Sequence, residues 1–351
     1  MRKNFNIAVV GCGQISDSHI QAWKSVSCKI VAVCDKNVAF AKSKASRWGI
    51  PRYYEDVSKM LEEENLDVVS ICTSANARLS VLRPIIEAGV NVVIEKPFAT
   101  SVSEAEKILE LQKKYGVKLS VVHNWLFSHI MRQTLFSLKN KKLGDIIGIE
   151  MNLLHTKNDY MVADSSHWCH TIEAGRFGEM LPHPIYLIRA ILGDVHIKHV
   201  TGSKLGHYSW MPIDELRILL EDKTGRTASI YVSFNNSRQE TTLKVFGNKG
   251  ILDVNLSNNI LVKRRYREFK DINITQVSVD NLRFLTDLTR SSFSIAYAIL
   301  TKKYRNMHTE FIKAFLNSIL NDTEPPVTAK EALEVVKLHS DLCSTVQKLY
   351  F

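Results

Sequence analysis

The chain has 351 residues, 45% apolar and 23% charged, ordinary for a globular protein and long enough for two domains with proper cores that need neither disulfides nor metal. Its formal charge of +10, from 46 Lys and Arg against 36 Asp and Glu, is scattered, with short clusters at KNKK (139–142) and VKRRYREFK (262–270). That distribution reads as a solvated face or a taste for anionic small substrates, and argues against nucleic acid as a partner. No stretch approaches a membrane span, and the opening MRKNFNIAVVG breaks at Gly11 before reaching the length of a signal-peptide core. The six cysteines, Cys12, Cys28, Cys34, Cys72, Cys169 and Cys343, lack metal-ligand spacing. They read as reduced core thiols of a cytoplasmic protein with no metal site.

The first 125 residues alternate short apolar runs with helical patterns. NIAVV (6–10), IVAVC (30–34), DVVSICT (67–73), NVVIE (91–95) and KLSVVH (118–123) are rich in Val and Ile with little polar alternation, as strands buried on both faces are. Between them, residues 17–26, 37–49, 56–65, 75–89 and 101–116 have helical period, with glycine at C-terminal ends. Repeated strand–helix–strand units predict a parallel doubly wound sheet, an α/β domain over 1–125.

The pattern changes near LGDIIGIE (143–150). In TASIYVSF (227–234), Ala228, Ile230, Val232 and Phe234 point one way while Ser229, Tyr231 and Ser233 point the other, predicting a strand with one packed and one open face. GIEMNLLHT, DELRILLED, TTLKVFGNKG and GILDVNL behave alike. The second domain, 126–351, is therefore expected to be α+β, with a largely antiparallel open-faced sheet and helices at 281–306, 308–320 and 328–350.

VVGCGQIS (9–16) follows a strand and precedes a helix, the setting a dinucleotide-binding turn needs. Gly11 makes the tight turn and Gly13 lets backbone amides approach a pyrophosphate at the helix N-terminus. Ser16 stands where a third glycine is usual, a position that needs only a small side chain. Asp35 ends IVAVCD about twenty residues beyond the glycines, where a carboxylate holds ribose hydroxyls and repels a 2′-phosphate. NAD is the expected cofactor, and Lys36 beside the acid leaves NADP open.

EKPFA (95–99) lies just past the fourth of these strands, at the carboxyl edge of the sheet. A lysine there can hold a substrate hydroxyl and stabilise its alkoxide as hydride leaves. From position alone, Lys96 reads equally well as a surface lysine before a turn-forming proline.

VVGCGQIS, Cys34–Asp35, EAGVNVVIEKP (87–97) and GEMLPHPIYLIRAILG (178–193) occur in order and together resemble the glucose-fructose oxidoreductase, inositol dehydrogenase and rhizopine catabolism (Gfo/Idh/MocA) family. The resemblance covers nearly the whole chain, including LGDIIGIE and FGNKGIL (246–252). It implies an N-terminal Rossmann domain, a C-terminal α+β domain, and a homodimer or homotetramer formed through the C-terminal sheet. Its catalytic lysine matches Lys96, its histidine matches His183, and Glu179 stands where an aspartate is usual. His183 would accept the hydroxyl proton, Lys96 polarise the oxygen and Glu179 orient the site. A helix starting near His183, with Pro182 in its first turn, would favour a neutral imidazole there.

Cofactor contacts are expected from Gly11, Gly13, Gln14, Ile15, Asp35, Thr73, Glu95, Lys96 and Asn124. Substrate contacts are expected from Lys96, His123, Trp168, Arg176 and His183, the last three of these in or after a polar loop whose aromatic and arginine suit a sugar ring or phosphate. Besides Ser16 and Glu179, the chain departs from the family pattern at Ser74, in place of proline, and Arg78, in place of a frequent histidine. The expected activity is hydride transfer between a secondary alcohol of a sugar, cyclitol or nucleotide sugar and a nicotinamide. A non-catalytic dinucleotide-binding sensor or partner subunit, and an NADPH-dependent ketone or imine reductase, stay open as alternatives.

Overall fold

The structure is a computed structural model describing residues 4–265, 274–301 and 306–351. The basic start at residues 1–3, residues 266–270 of the second basic cluster and residues 302–305 of the expected helix 281–306 lie outside the described residues. The chain divides into two compact units, Met1–Phe127 with Arg305–Lys337, and Ser128–Tyr304 with Leu338–Phe351.

In the first unit, β1 (Asn6–Val10), α1 (Gln14–Ser25), β2 (Lys29–Cys34), α2 (Val38–Trp48), β3 (Arg52–Tyr54), α3 (Val57–Glu63), β4 (Val68–Ile71), α4 (Arg78–Glu87), β5 (Asn91–Ile94), α5 (Val102–Tyr115) and β6 (Leu119–Val121) follow one another. The sheet has the order β3-β2-β1-β4-β5-β6, with every pair parallel. The apolar runs become its buried strands because helices cover both faces. The short edge strand β3, largely exposed and without an apolar run, is absent from the sequence reading for that reason. Asn37, Asp56 and Ser101 cap α2, α3 and α5 with their side chains, and Gly49 and Gly116 end α2 and α5 in the left-handed conformation. The strand order reverses between β1 and β4, so the loops leaving these strands diverge and open a crevice at their carboxyl ends.

The second unit contains α6 (His129–Lys139), β7 (Ile146–Thr156), α7 (Tyr160–Ala163), α8 (Gly175–Met180), α9 (Pro182–Leu192), β8 (Val195–Ser203), β9 (Glu215–Asp222), β10 (Thr227–Asn236), β11 (Glu240–Gly247), β12 (Gly250–Asn255), β13 (Ile260–Arg265) and α10 (Ile274–Leu300). Its seven strands run in the order β13-β12-β11-β7-β10-β9-β8. β7 and β10 pair parallel and the other neighbours antiparallel. On β10, Ala228, Ile230, Val232 and Phe234 are buried as the alternation predicts, and Ser229 is exposed. Ser233 is buried too, because its hydroxyl donates to Glu215 Oε1 at 2.7 Å.

α11 (Met307–Leu320) and the start of α12 (Ala329–Tyr350) return to the first unit. Residues 305–337 thus belong with the first unit, whereas the sequence reading gave everything after 125 to the second domain. The physical reason is apolar: Phe311, Phe315, Val327, Ala332 and Val336 join the core of the parallel sheet. Ser120 of β6 donates to Val327 O at 2.8 Å and accepts from Val327 N–H at 3.1 Å, satisfying a buried backbone pair beside the edge strand. All six cysteines are unpaired, and no helix among the described residues is long and apolar enough to cross a membrane.

Ser120→Ala leaves both Val327 groups without a partner in a buried setting. We expect a loss of about 1–3 kcal/mol in urea unfolding, and a loss under about 0.5 kcal/mol would show that this hydrogen-bonded pair does not hold residues 305–337 on the first sheet.

Candidate active site

Gly11 follows β1 with φ of +91°, and a β-carbon there would lie 2.6 Å from Thr73 N and 2.7 Å from Cys72 C. Only glycine allows the β1 and β4 loops to approach so closely. Gly13, the N-cap of α1, is different: nothing lies within 4 Å of where its β-carbon would be. Among the described residues no side chain caps α1, which leaves its N-terminus free to receive an anion. Ser16 answers the missing third glycine. It is fully buried, and its hydroxyl donates to Gly13 O at 2.6 Å, so it tightens the turn from within.

Asp35 accepts from Cys12 N–H at 2.7 Å and Asn37 N–H at 2.9 Å, one bond to each carboxylate oxygen. A carboxylate has about four acceptor positions, so two remain for ribose hydroxyls. Lys44 Nζ reaches from α2 to Gly13 O at 3.3 Å and Asp17 Oδ1 at 2.7 Å, a support for the turn that no motif announces. Gln14 and Ile15 are exposed on the first turn of α1. Thr73, after β4, has a buried Oγ1 with no hydrogen-bond partner among the described residues. An open cradle at Gly13, an uncapped helix start, an unpartnered hydroxyl and an acid at the end of β2 are the donor and acceptor set a dinucleotide requires.

Lys96 follows β5 through Glu95, at the same carboxyl edge, and the Lys96–Pro97 peptide is cis. Arg78 is buried at the start of α4 and donates to Glu95 O, to Thr73 O at 3.1 Å and to Lys96 O at 3.3 Å. Burial pulls its guanidinium down to about 10. Glu95, expected to meet the cofactor, instead turns its carboxylate inward. Oε1 meets His19 Nε2 at 2.8 Å and His308 Nε2 at 3.3 Å, while Oε2 accepts from Lys96 N–H at 3.1 Å. Burial alone would raise this carboxyl, yet the two histidines hold it well below the usual carboxylate range. His123 is buried after β6, and Asn124 opens the following 3-10 turn, Asn124–Phe127. Burial pushes His123 down to about 3 against the attraction of Glu95.

In the second unit, α9 starts at Pro182, as read. Leu181 is itself right-handed helical and Ile185 N–H bonds to Leu181 O, so α8 leads into α9 without a break. His183 therefore does not sit at an isolated helix start, and that argument for its neutrality falls. Its Nδ1 lies 2.8 Å from Tyr186 Oη, in a buried setting. Arg176 is in the first turn of α8, not in a loop, and is 5% exposed. Its guanidinium pairs with Glu179, lies 3.5 Å from Asp159 Oδ2 and packs over the Phe234 ring. It therefore holds Glu179. His155 extends this network, bonding Asp159 at 3.0 Å. Burial and the Arg176 charge keep His155 below its ordinary range. Trp168 is 57% exposed, with His167 beside it and Tyr160 against His167.

His19, His308 and Lys44 escape the sequence reading because their partners lie tens to hundreds of residues away, and His155 and Asp159 because the charge they gather around, Arg176, sits on another element. Among the described residues His19, Glu95 and His308 also form one group with the donor types of a metal site, which no local spacing could reveal.

The parallel sheet of order 3-2-1-4-5-6 and its glycine turn define a dinucleotide-binding protein with a second, open-sheet unit attached. The model of the oxidoreductase family with NAD-binding Rossmann fold, Gfo/Idh/MocA, matches residues 5–123, and that of the family's C-terminal domain matches 135–253. The chain belongs to this family of NAD-binding oxidoreductases. It is similar to D-apiose dehydrogenase of Paraburkholderia graminis, with 26% identity over 75% of this chain and 71% of the relative. Myo-inositol 2-dehydrogenase of Thermotoga maritima is 23% identical over 93% of this chain and 91% of its own. Among solved structures, the WlbA dehydrogenase of Bordetella pertussis, in complex with NADH and UDP-GlcNAcA, shares the fold at a TM-score of 0.78 and 20% identity, covering 99% and 96% of the two chains. Scyllo-inositol dehydrogenase of Lactobacillus casei, with NAD(H) and scyllo-inositol, does so at 0.75 and 19%, covering 99% and 97%.

Gly11→Ala should cost stability outright, lowering the melting temperature by several degrees, because backbone must move. Gly13→Ala should leave the melting temperature within about 2 °C yet weaken NAD binding measured by fluorescence quenching. The reverse pattern would refute the assignment of turn and cradle. A pH effect follows from His123. In the folded chain it stays neutral down to about 3, while the unfolded chain protonates near 6.5. Stability contributed by the neutral ring is present above that value and lost as pH falls toward 3. His123→Gln should flatten urea-unfolding stability between pH 6 and 4 by up to about 1.4 kcal/mol per pH unit, and an unchanged slope would contradict the burial of a neutral ring.

Proposed function

We propose that the chain moves hydride between a secondary alcohol of a sugar, cyclitol or nucleotide sugar and the nicotinamide of NAD, using Lys96 and His183. The observation that carries the reading is the Lys96 loop. It leaves β5 at the carboxyl edge that also holds the glycine turn, with its backbone tied down by buried groups. NAD, when bound, supplies the hydride acceptor. Gly13 and the first-turn amides of α1 would cradle its pyrophosphate, Asp35 its ribose hydroxyls, and Thr73 Oγ1 would gain a partner. Asp35 disfavours a 2′-phosphate, which supports NAD over NADP.

Lys96 Nζ would hold the substrate oxygen and stabilise the charge that develops as its proton departs. His183 would take that proton on Nε2, with Nδ1–H donating to Tyr186 Oη and fixing the tautomer. Glu179, held by Arg176, would set the field at the histidine. The exposed Trp168 offers an apolar face to a sugar ring. A homodimer or homotetramer through the open face of the second sheet is part of the proposal. There Arg217 lies over the Tyr231 ring at 3.9 Å, a polar and aromatic surface of the kind interfaces use. The unpaired cysteines support a reducing, cytoplasmic setting.

The test mixes purified protein with NAD or NADP and a panel of free sugars, inositols, sugar phosphates and nucleotide sugars, following reduced-nicotinamide absorbance. Lys96→Ala should lower turnover about 10²–10⁴-fold while the NAD dissociation constant stays within about 3-fold. Turnover unchanged in that variant removes Lys96 from the mechanism. Cofactor binding with silence across the panel supports the non-catalytic alternative.

A further inference from the structure

We infer that His19, Ser70 and His308 are positioning residues that fix the Lys96 backbone through the buried Glu95 carboxylate. The inference rests on the reading of Lys96 as the group that meets the substrate oxygen, and adds what aims it.

Glu95 is bound on every side. Its N–H donates to Ile71 O at 3.0 Å, extending the β4–β5 ladder, and its carbonyl accepts from Arg78. Oε1 takes both imidazoles and Oε2 takes the Lys96 amide. Lys96 O in turn accepts from Arg78 Nη2 at 3.3 Å. Both backbone polar atoms of Lys96 are therefore held by buried groups. A lysine ammonium ends a flexible four-carbon stem, so what the fold can fix is the point from which that stem starts. A misplacement of about 1 Å at a reacting group costs about 10²-fold in rate.

The three supports come from separate elements: His19 from α1, just after the glycine turn, Ser70 from β4 and His308 from the first turn of α11. His19 is fully buried and held neutral by that burial, so it has one ring proton to place. Ser70 Oγ lies 2.7 Å from Nδ1 and Glu95 Oε1 lies 2.8 Å from Nε2. The carboxylate needs a donor, which puts the proton on Nε2 and makes Ser70 the donor to Nδ1. An unaccompanied carboxylate would be costly at such depth. Two imidazole N–H groups and an amide offset that cost and leave it a single orientation. Ser25 Oγ meets Thr309 Oγ1 at 3.1 Å and Asn306 caps α11, which fixes α11 against α1 and thereby His308.

The same three ligand atoms lie within 4.8 Å of one another, as in a metal centre. Two observations favour hydrogen bonding instead. The Arg78 guanidinium lies against Glu95, an adverse field for a dication, and Oε2 already accepts the Lys96 amide.

Hydrogen exchange followed by mass spectrometry reads this arrangement without any substrate. In peptides that begin at least two residues before Glu95, electron-transfer fragmentation resolves the Glu95 and Lys96 amides separately, and Pro97 carries none. The Glu95 amide, in the ladder, serves as internal control. In the full chain, His308→Phe should speed Lys96 exchange about 10-fold or more with Glu95 exchange unchanged. His308→Gln, which keeps an N–H donor, should return it to within about 3-fold of the native rate. With NAD and myo-inositol or UDP-N-acetylglucosamine as probes, kcat should follow the same order while KM for NAD holds. Native exchange in His308→Phe, or equal damage in both variants, overturns the inference, as does one equivalent of zinc in the purified protein. If Lys96→Ala turns over normally while the exchange pattern holds, the reading of Lys96 falls and the clamp stands.

Discussion

The approach of Gly11 to the Cys72–Thr73 peptide is the constraint on which the rest of this site depends. With under 3 Å available to a β-carbon, the chains leaving β1 and β4 touch at their base, where the strand order reverses, before they diverge. Cys72 N–H bonds to Val10 O at 2.7 Å and Gly11 N–H to Cys34 O at 2.8 Å, so three strand ends are drawn together there. Asp35 then reaches Cys12 N–H and Arg78 reaches Thr73 O. Each of these short bonds exists because its neighbour does. A displacement at Gly11 would propagate to the turn, the acid and the lysine loop alike, since packed interiors are not continuously deformable.

The departures at Ser16 and Arg78 are compatible with this frame for different reasons. Ser16 needs only to be small, and it adds a hydroxyl that the Gly13 carbonyl accepts. Arg78 is large, but it extends along three carbonyls at the carboxyl edge and donates to each. A histidine offers two ring nitrogens at most, whereas a guanidinium offers five donors in a plane. Arg78 therefore does structural work, and the cost of burying its charge is moderated by Glu95 close by.

Much of the fold is legible in the chain because its signals are local. Valine-rich runs buried on both faces, caps at Asn37, Asp56 and Ser101, and alternation along β10 each follow from short-range physics. What is not legible is non-local. The edge strand β3 has too few residues to show a period, and the return of α11 to the first unit depends on apolar contacts with a sheet laid down some two hundred residues earlier. At the site, glycines, acid and lysine announce themselves by spacing from a strand. The partners of Glu95 do not, since His19 and His308 meet it across 76 and 213 residues. Arg176 misleads on local structure for a related reason: a polar stretch with an arginine reads as a loop until Asp159, Glu179 and Phe234 are seen to enclose a helix start.

The second unit adjusts the expected chemistry in a specific way. Because Leu181 carries helix straight through from α8 to α9, the amides ahead of His183 are largely committed to preceding carbonyls, and no free helix end faces its ring. What the ring does meet is Tyr186 Oη, in a buried setting. The same unbroken helix puts Glu179 one turn before His183, and the Arg176 pair holds its carboxylate back along α8. A glutamate is longer than an aspartate by one methylene, and a guanidinium that draws it along the helix axis is the natural means of taking up that length. The position of the Glu179 carboxylate and the burial of Arg176 thus belong to one contact, which neither residue shows alone in the sequence.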